Sequence, residues 1–466
     1  MNVVKSHRTV TAFTLAMINV AAVCSINFWP LTAEYGLSSL FFFLLIAVFF
    51  FFPVSFVSAE LTTGWPERGG VFAWVKEAFG HHWGFLAIWL QWIENVIWYP
   101  TILSFMAAAL AYCFNPALAN SKVYMVAVIL SAFWGATLVN LRGMKTSGFI
   151  SSFGVLAGTI LPGIIIVILG TAWAVSGKPI QIDLSLDSLI PNLDSPFQLS
   201  LLAGALFNFV GMEMSSAHAK DVLNPKKTYP KAILLSATII ISLSALGTLM
   251  IAFIIPQHEI SIVSGGIEVI AYLLKAYKLG WAVPILAMLI AIGALSSMST
   301  WTAGPSKGLL AAAQSGEFPP LLHKVNRNDM PIAMMIMQAI IVSVLTLMFL
   351  LMPDVNSSFW ILLVLASQLY MVMYIILFAA AIRLRYKCPD VPRAYEIPGG
   401  KLGMWCVAGL GILGSLAALV IGFFPPGQID AGNVFFYELF LVGGIISVSV
   451  IPFIILNFKK PTWNIP

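Results

Sequence analysis

The sequence predicts an all-α polytopic membrane protein with twelve transmembrane helices. Composition comes first: of 466 residues, 60% are hydrophobic and only 9% are charged. A soluble chain carries about 25% charged residues, so this one cannot cover a water-facing surface, and its mean hydropathy of +0.94 agrees. A water-soluble enzyme, a nucleic-acid binder and a disordered chain are excluded. Second, twelve apolar runs approach the roughly 20 residues needed to cross about 30 Å of hydrocarbon. Third, the charges between those runs separate cleanly by side.

In order, the runs cover 10–31, 37–59, 83–113, 123–141, 149–175, 198–219, 231–255, 281–303, 331–352, 358–383, 403–424 and 434–457. The first follows a basic stretch from Lys5 to Arg8 and lacks a small-residue cleavage site, so it reads as a membrane helix rather than a removable signal. Between the second and third runs, Gly69 to Val75 is too short to span and too apolar for a free loop, so a re-entrant or interfacial helix is expected. The third run is long enough to tilt or to project past the bilayer. In the external loop 256–280, Ile267, Ile270, Ala271 and Leu274 recur at helical spacing, which predicts a short helix over the outer mouth. Everything to residue 457 forms a single transmembrane domain, with 458–466 a short cytoplasmic tail.

Twelve spans put both termini on one side. Loops on that side hold 20 of the 24 Lys and Arg; the other side holds only Lys122, Lys178, Lys275 and Lys278. The positive-inside rule places both termini in the cytoplasm. The net charge of +5 comes from short loops without an extended basic patch, so no nucleic-acid partner is expected. Cys24, Cys113, Cys388 and Cys406 show neither a CxxC pair nor an adjacent histidine, which argues against a metal site or a disulfide framework. No catalytic dyad or phosphate loop is visible. Neither enzyme activity nor a cofactor is expected.

Two runs carry signs of interruption. In the first, Ala22, Cys24, Ser25 and Asn27 concentrate small and polar residues where the helix should be greasiest. In the sixth, Asn208 is followed by Gly211 and Glu213. Backbone freed by such breaks survives in a membrane only where it lines a cavity or is buried in protein. If runs 1–5 and 6–10 are repeats, the odd count inverts the second repeat and makes the two broken runs equivalent. Close helix packing is the plainer reading of small residues in a span.

Several segments together carry a family resemblance. They are Glu60 and Gly69-Gly70-Val71-Phe72-Ala73-Trp74-Val75, Gly211-Met212-Glu213, Asn224-Pro225-Lys226-Lys227-Thr228-Tyr229-Pro230, Trp301 to Gly308, and Ile397-Pro398-Gly399-Gly400. From about residue 9 to 457 the chain resembles the amino acid–polyamine–organocation transporters, and within them the glutamate/GABA antiporter group. The resemblance implies a LeuT-like fold: inverted five-helix repeats over about 10–175 and 198–383, plus two C-terminal helices at about 403–424 and 434–457. It also implies a substrate site against the two unwound segments, and a place in the plasma (inner) membrane as a monomer or homodimer. A Gly-Ser-Gly turn common among relatives falls on Val23-Cys24-Ser25, where both glycines are missing.

The expected substrate-binding set is Ala22, Val23, Cys24, Ser25 and Ile26 from the first break and Asn208, Phe209, Gly211 and Glu213 from the second. Glu94, Asn95 and Trp98 join them from the third run and Trp301 from the eighth. A carboxyl inside a span marks an ion or substrate pathway by default, so Glu213 is the proton-coupling candidate; the alternative is a structural carboxyl bridging the break. Glu94 would favour a substrate amine. Phe207 and Trp301 are gate candidates, Trp301 also as a face for a cationic amine or as an interfacial tryptophan. Glu60 is expected to anchor a cytoplasmic turn through hydrogen bonds. Ser296, Ser297, Ser299 and Thr300 offer hydroxyls for sodium, or simply satisfy helix carbonyls.

The expected function is exchange of an external amino acid for a related internal solute, such as its decarboxylation product. Proton- or sodium-coupled symport is the alternative; a channel or a nutrient-sensing receptor on the same scaffold is a more distant one.

Overall fold

The computed structural model describes residues 10–66, 70–142, 154, 156–191, 196–214, 216, 222–328, 330–427, 430 and 433–463. Lys5, Arg8 and Gly69 lie outside the described residues, as does the side chain of Thr300. Among the described residues the chain is helical, without a strand; one isolated bridge pairs Val10 with Val222. Ten described helices are long and apolar enough to cross a membrane, and one further pair is bent by 43°. The sixth apolar run gives a shorter apolar segment, Leu201–Met214, of which Leu201–Phe207 is α-helical.

The bent pair is α1 (Ala12–Val23) and the segment Ile26–Ala33, a 3₁₀ turn that runs into α2 (Trp29–Ala33). Thr11 starts α1 by accepting a hydrogen bond from the Thr14 N–H, which satisfies one of the donors every helix leaves open. Next come α3 (Gly36–Gly64), with a π-helical turn at Ala47–Phe51, and the short α4 (Val71–Phe79). Helix α4 buries Val71, Phe72, Trp74, Val75 and Ala78 on one face, in keeping with the short helix expected there. Helix α5 (His81–Phe114) has 34 residues; at 1.5 Å per residue it measures about 51 Å and overshoots the hydrocarbon layer.

Helices α6 (Lys122–Asn140), α7 (Leu156–Val175) and α8 (Leu201–Phe207) lead to the second interrupted segment. Beyond it lie α9 (Pro225–Ile254), α10 (Gly265–Ala276), α11 (Val283–Ala312) and α12 (Ile332–Leu351). The chain closes with α13 (Val355–Lys387), α14 (Gly400–Ile421) and α15 (Val434–Asn457). Helices α5 and α13 are buried along most of their length and form the centre. Exposed Ile168, Leu351 and Phe435 on peripheral helices need no cover, since lipid is as apolar as they are.

Helix α10 is the short helix that the 256–280 pattern predicts. A Cβ on Gly265 would meet Pro30 at 3.2 Å, and one on Gly266 would meet Ile26 at 3.0 Å. Its N-terminal end therefore presses directly on the bend between α1 and α2.

At the other end of α3, Glu60 is 1% exposed. Its carboxylate accepts from Arg385 Nη2 at 2.6 Å and from the Ile397 N–H at 2.8 Å, and lies 3.4 Å from Arg393 Nε. Arg393 also stands over the Trp65 ring, 5.1 Å from its centroid. One carboxylate thus ties α3 to the end of α13 and to the segment before α14, the anchoring expected of it. Removing one partner from such a buried cluster strands the others' charge, at a cost of about 3–5 kcal/mol. Glu60→Gln is expected to lower the thermal midpoint of the detergent-solubilised protein by the equivalent of that loss; an unchanged midpoint would contradict the assignment.

Glu34 follows α2, outside the spanning segments, and burial pushes its carboxyl up to about 8. The native chain then holds a proton that the unfolded chain releases above about 4.5. This group's stabilisation is complete below that value and is lost as pH rises toward about 8. Thermal unfolding across that window is expected to show a falling midpoint, and Glu34→Gln to flatten the slope.

Candidate functional site

Both interruptions are real breaks in the hydrogen-bond ladder, achieved differently. Helix α1 stops at Val23, and Cys24 (φ −73°, ψ 119°) and Ser25 (φ −147°, ψ 131°) are extended before a 3₁₀ turn at Ile26–Phe28. Extended backbone is open to any residue, so this break forms without the two missing glycines. Ser25 Oγ donates to the Asn27 side chain across it. In the second break α8 ends at Phe207, and Gly211 adopts φ +110°. There glycine is required: the backbone is left-handed, and a Cβ would stand 2.7 Å from Trp301 Cζ2.

Trp301 joins the two breaks. Its ring lies against Gly211, and its indole N–H donates to the Ala22 carbonyl at 3.2 Å. The Gly211 N–H donates to Tyr374 Oη at 3.1 Å. Backbone groups that a continuous helix would pair internally are thus paired by side chains of α11 and α13.

Between the breaks lies a narrow cleft of about 30 Å³. Its walls include Ala22, Val23, Ser25 and Phe28 from the first break, and Phe207, Asn208 and Val210 from the second. Helix α5 contributes Glu94, Asn95 and Trp98; α11 contributes Ser297 and Trp301; α13 contributes Tyr370. Nine residues anticipated from sequence are brought together here: Ala22, Val23, Ser25, Glu94, Asn95, Trp98, Phe207, Asn208 and Trp301. Cys24, Ile26, Phe209, Gly211 and Glu213 are not among the lining residues. Phe28, Val210 and Tyr370 were not singled out, because an aromatic or aliphatic residue in an apolar span carries no signal of its own. Ser297 was read as a hydroxyl for sodium or for a helix carbonyl, not as part of a substrate site.

The two buried carboxylates differ in surroundings. Glu213 accepts from Tyr370 Oη, from Tyr374 Oη at 2.7 Å and from Gln91 Nε2 at 3.2 Å. It sits behind the break, bound to α13 and α5. Glu94 lines the cleft, 1% exposed, and accepts from Asn95 Nδ2, which also donates to the Gln91 carbonyl at 2.8 Å. Among the described residues neither carboxylate has an ion-pair partner, and no lining residue is basic. One carboxylate among aromatic neighbours (Phe28, Trp98, Phe207, Trp301, Tyr370) is suited to an ammonium group.

Of the span-8 hydroxyls, Ser296 donates back to the Ile292 carbonyl at 2.7 Å and Ser299 to Asn140 Oδ1 at 2.8 Å.

A family profile described as amino acid permease matches residues 8–446. The chain belongs to the amino acid permease family. It is similar to an uncharacterized transporter of Legionella pneumophila, 43% identical over 449 residues, covering 96% of this chain and 97% of that one. It is also similar to a glutamate/gamma-aminobutyrate antiporter of Lactococcus lactis, 31% identical over 456 residues, covering 97% and 90%. A probable agmatine/putrescine antiporter of the same species is 25% identical over 370 residues, covering 79% and 78%. The resemblance read from the sequence is borne out. This permease is a multi-pass membrane transporter for a small molecule and not an enzyme.

Trp301→Phe keeps the ring on Gly211 but removes the N–H that pairs with Ala22. An orphaned buried carbonyl costs about 1–3 kcal/mol, and Gly211→Ala is expected to cost a similar amount in backbone strain alone. Thermal unfolding of each purified variant checks both; Trp301→Phe at the wild-type midpoint would show that the indole N–H is not holding the first break.

Proposed function

We propose that this permease is a secondary active antiporter. It exchanges an external amino acid for a related internal solute, such as the amine left by decarboxylation, through alternating access. The observation that carries the reading is the cleft: two breaks enclosing a space whose described lining residues include one carboxylate and no basic side chain. In this scheme Glu94 receives the ammonium group common to an amino acid and its amine. Residues 22–26, at the positive end of the half-helix that follows them, receive the carboxylate. Asn208, Phe209 and Gly211 belong to the opposing wall. Phe207 and Trp301 are the gates.

Glu213 remains the proton-coupling candidate. Its donors sit on α5 and α13, so a change in its protonation would alter how the second break is held against both helices. The proposed frame is twelve spans in one domain, inverted repeats at about 10–175 and 198–383 with two further helices, both termini cytoplasmic, in the plasma membrane as a monomer or homodimer. Support comes from the paired breaks, the separation of loop charges, and relatives named as antiporters.

Proteoliposomes preloaded with candidate amino acids or amines test the exchange. Uptake of a labelled amino acid is expected only when a related solute waits inside, and Glu94→Gln is expected to abolish it in folded protein. Equal uptake into empty vesicles would reject antiport. Glu213→Gln, assayed across pH, is expected to flatten the pH profile of exchange.

A further inference from the structure

A second concavity lies away from the central cleft. It is a groove of about 390 Å³ lined only by apolar side chains: Ile165, Ile168 and Leu169 of α7, Leu274 of α10, Leu279 in the following turn, and Ile285 and Leu286 of α11, with Trp281 and Ala282 closing it. Its shape has a local cause. Near its inner end α7 crosses α11 so closely that a Cβ on Gly158 would stand 2.2 Å from the Leu289 carbonyl and 2.5 Å from Gly293 Cα. Helices in contact at two glycines diverge on either side of the crossing. About two turns outward, at Ile165 and Ile285, they have parted, and the wedge between them opens toward lipid. Ile168, Ile285 and Trp281 are 60%, 53% and 70% exposed.

The rim of the groove is cationic. Of the four lysines assigned to the external side, three gather here. Lys178 Nζ lies 4.4 Å from the centroids of both Trp173 and Tyr277. Lys275 and Lys278 flank Tyr277 in sequence, and Lys275 Cγ would be 3.5 Å from a Cβ on Gly280, next to Trp281. Among the described residues none of the three forms an ion pair. Three unpaired cations sit at the level where an exposed tryptophan marks the membrane interface.

We propose that this groove is a binding site for an anionic diacyl phospholipid of the outer leaflet. One acyl chain fills the wedge between α7 and α11, and the phosphate group is held by Lys275 and Lys278 with Lys178 beside them. Acyl chains are as apolar as the groove walls, so the chain supplies fit and the lysines supply choice among lipids. The lipid also ties α10 to α7 and α11, and α10 presses on the bend between α1 and α2.

Native mass spectrometry of the full-length protein, exposed to phosphatidylglycerol and phosphatidylcholine with matched chains, tests this. Retention of phosphatidylglycerol is expected to exceed that of phosphatidylcholine by roughly fivefold per engaged lysine. Lys275→Gln with Lys278→Gln, both exposed and unbonded, is expected to erase the preference while leaving folding intact. Ile285→Trp, which fills the wedge, is expected to lower retention of both lipids. Equal retention of the two lipids by the wild type overturns the proposal, as does an undiminished preference in the double lysine variant.

Discussion

A backbone interrupted inside a membrane must find partners for the groups it frees, and in this permease a few side chains from outside the broken segments supply them. Trp301 pairs with the Ala22 carbonyl and Tyr374 with the Gly211 N–H. Without such partners each freed group would cost several kcal/mol in lipid, and two continuous helices packed face to face would win. The cleft exists because α11 and α13 reach across to both breaks. Trp301, which pairs with the first break, is also part of the cleft wall, whereas Tyr374 stands behind it.

The two carboxylates differ in how they are held. Glu213 has three donors and a place behind the break; Glu94 has one donor and faces the cleft. A carboxylate saturated by neighbours holds structure together, whereas one with spare acceptor capacity can still receive something. Among the described residues no basic side chain stands on the cleft wall to compete for Glu94.

Much of this was legible beforehand. Apolar runs and loop lysines are properties of the bilayer as a solvent, so they survive in any reading of the chain, and Gly211 with Glu213 announced a break because neither belongs in a greasy helix. Other parts were hidden for physical reasons. The first break needed no glycine, since its residues are extended, so the missing Gly-Ser-Gly turn said little about whether the helix opens. Glu213 looked like the cleft's own carboxyl because sequence gives depth along a helix but not which way a side chain turns. Tyr370 and Tyr374, which decide that question, are two aromatics among many in a long apolar run.

The cluster around Glu60 has a consequence for how the permease meets changing solutions. Its arginines are 9% and 2% exposed, so dissolved ions cannot enter between the charges. The Lys387–Glu77 pair close by is about half exposed on both sides and 3.9 Å apart. Mobile ions shrink the reach of such wetted pairs to about 10 Å at 0.1 M and to a few ångströms at ten times that strength. A rise in salt would therefore mute the exposed pair and leave the buried cluster intact, keeping the junction of α3, α13 and α14 fixed across a wide span of ionic conditions.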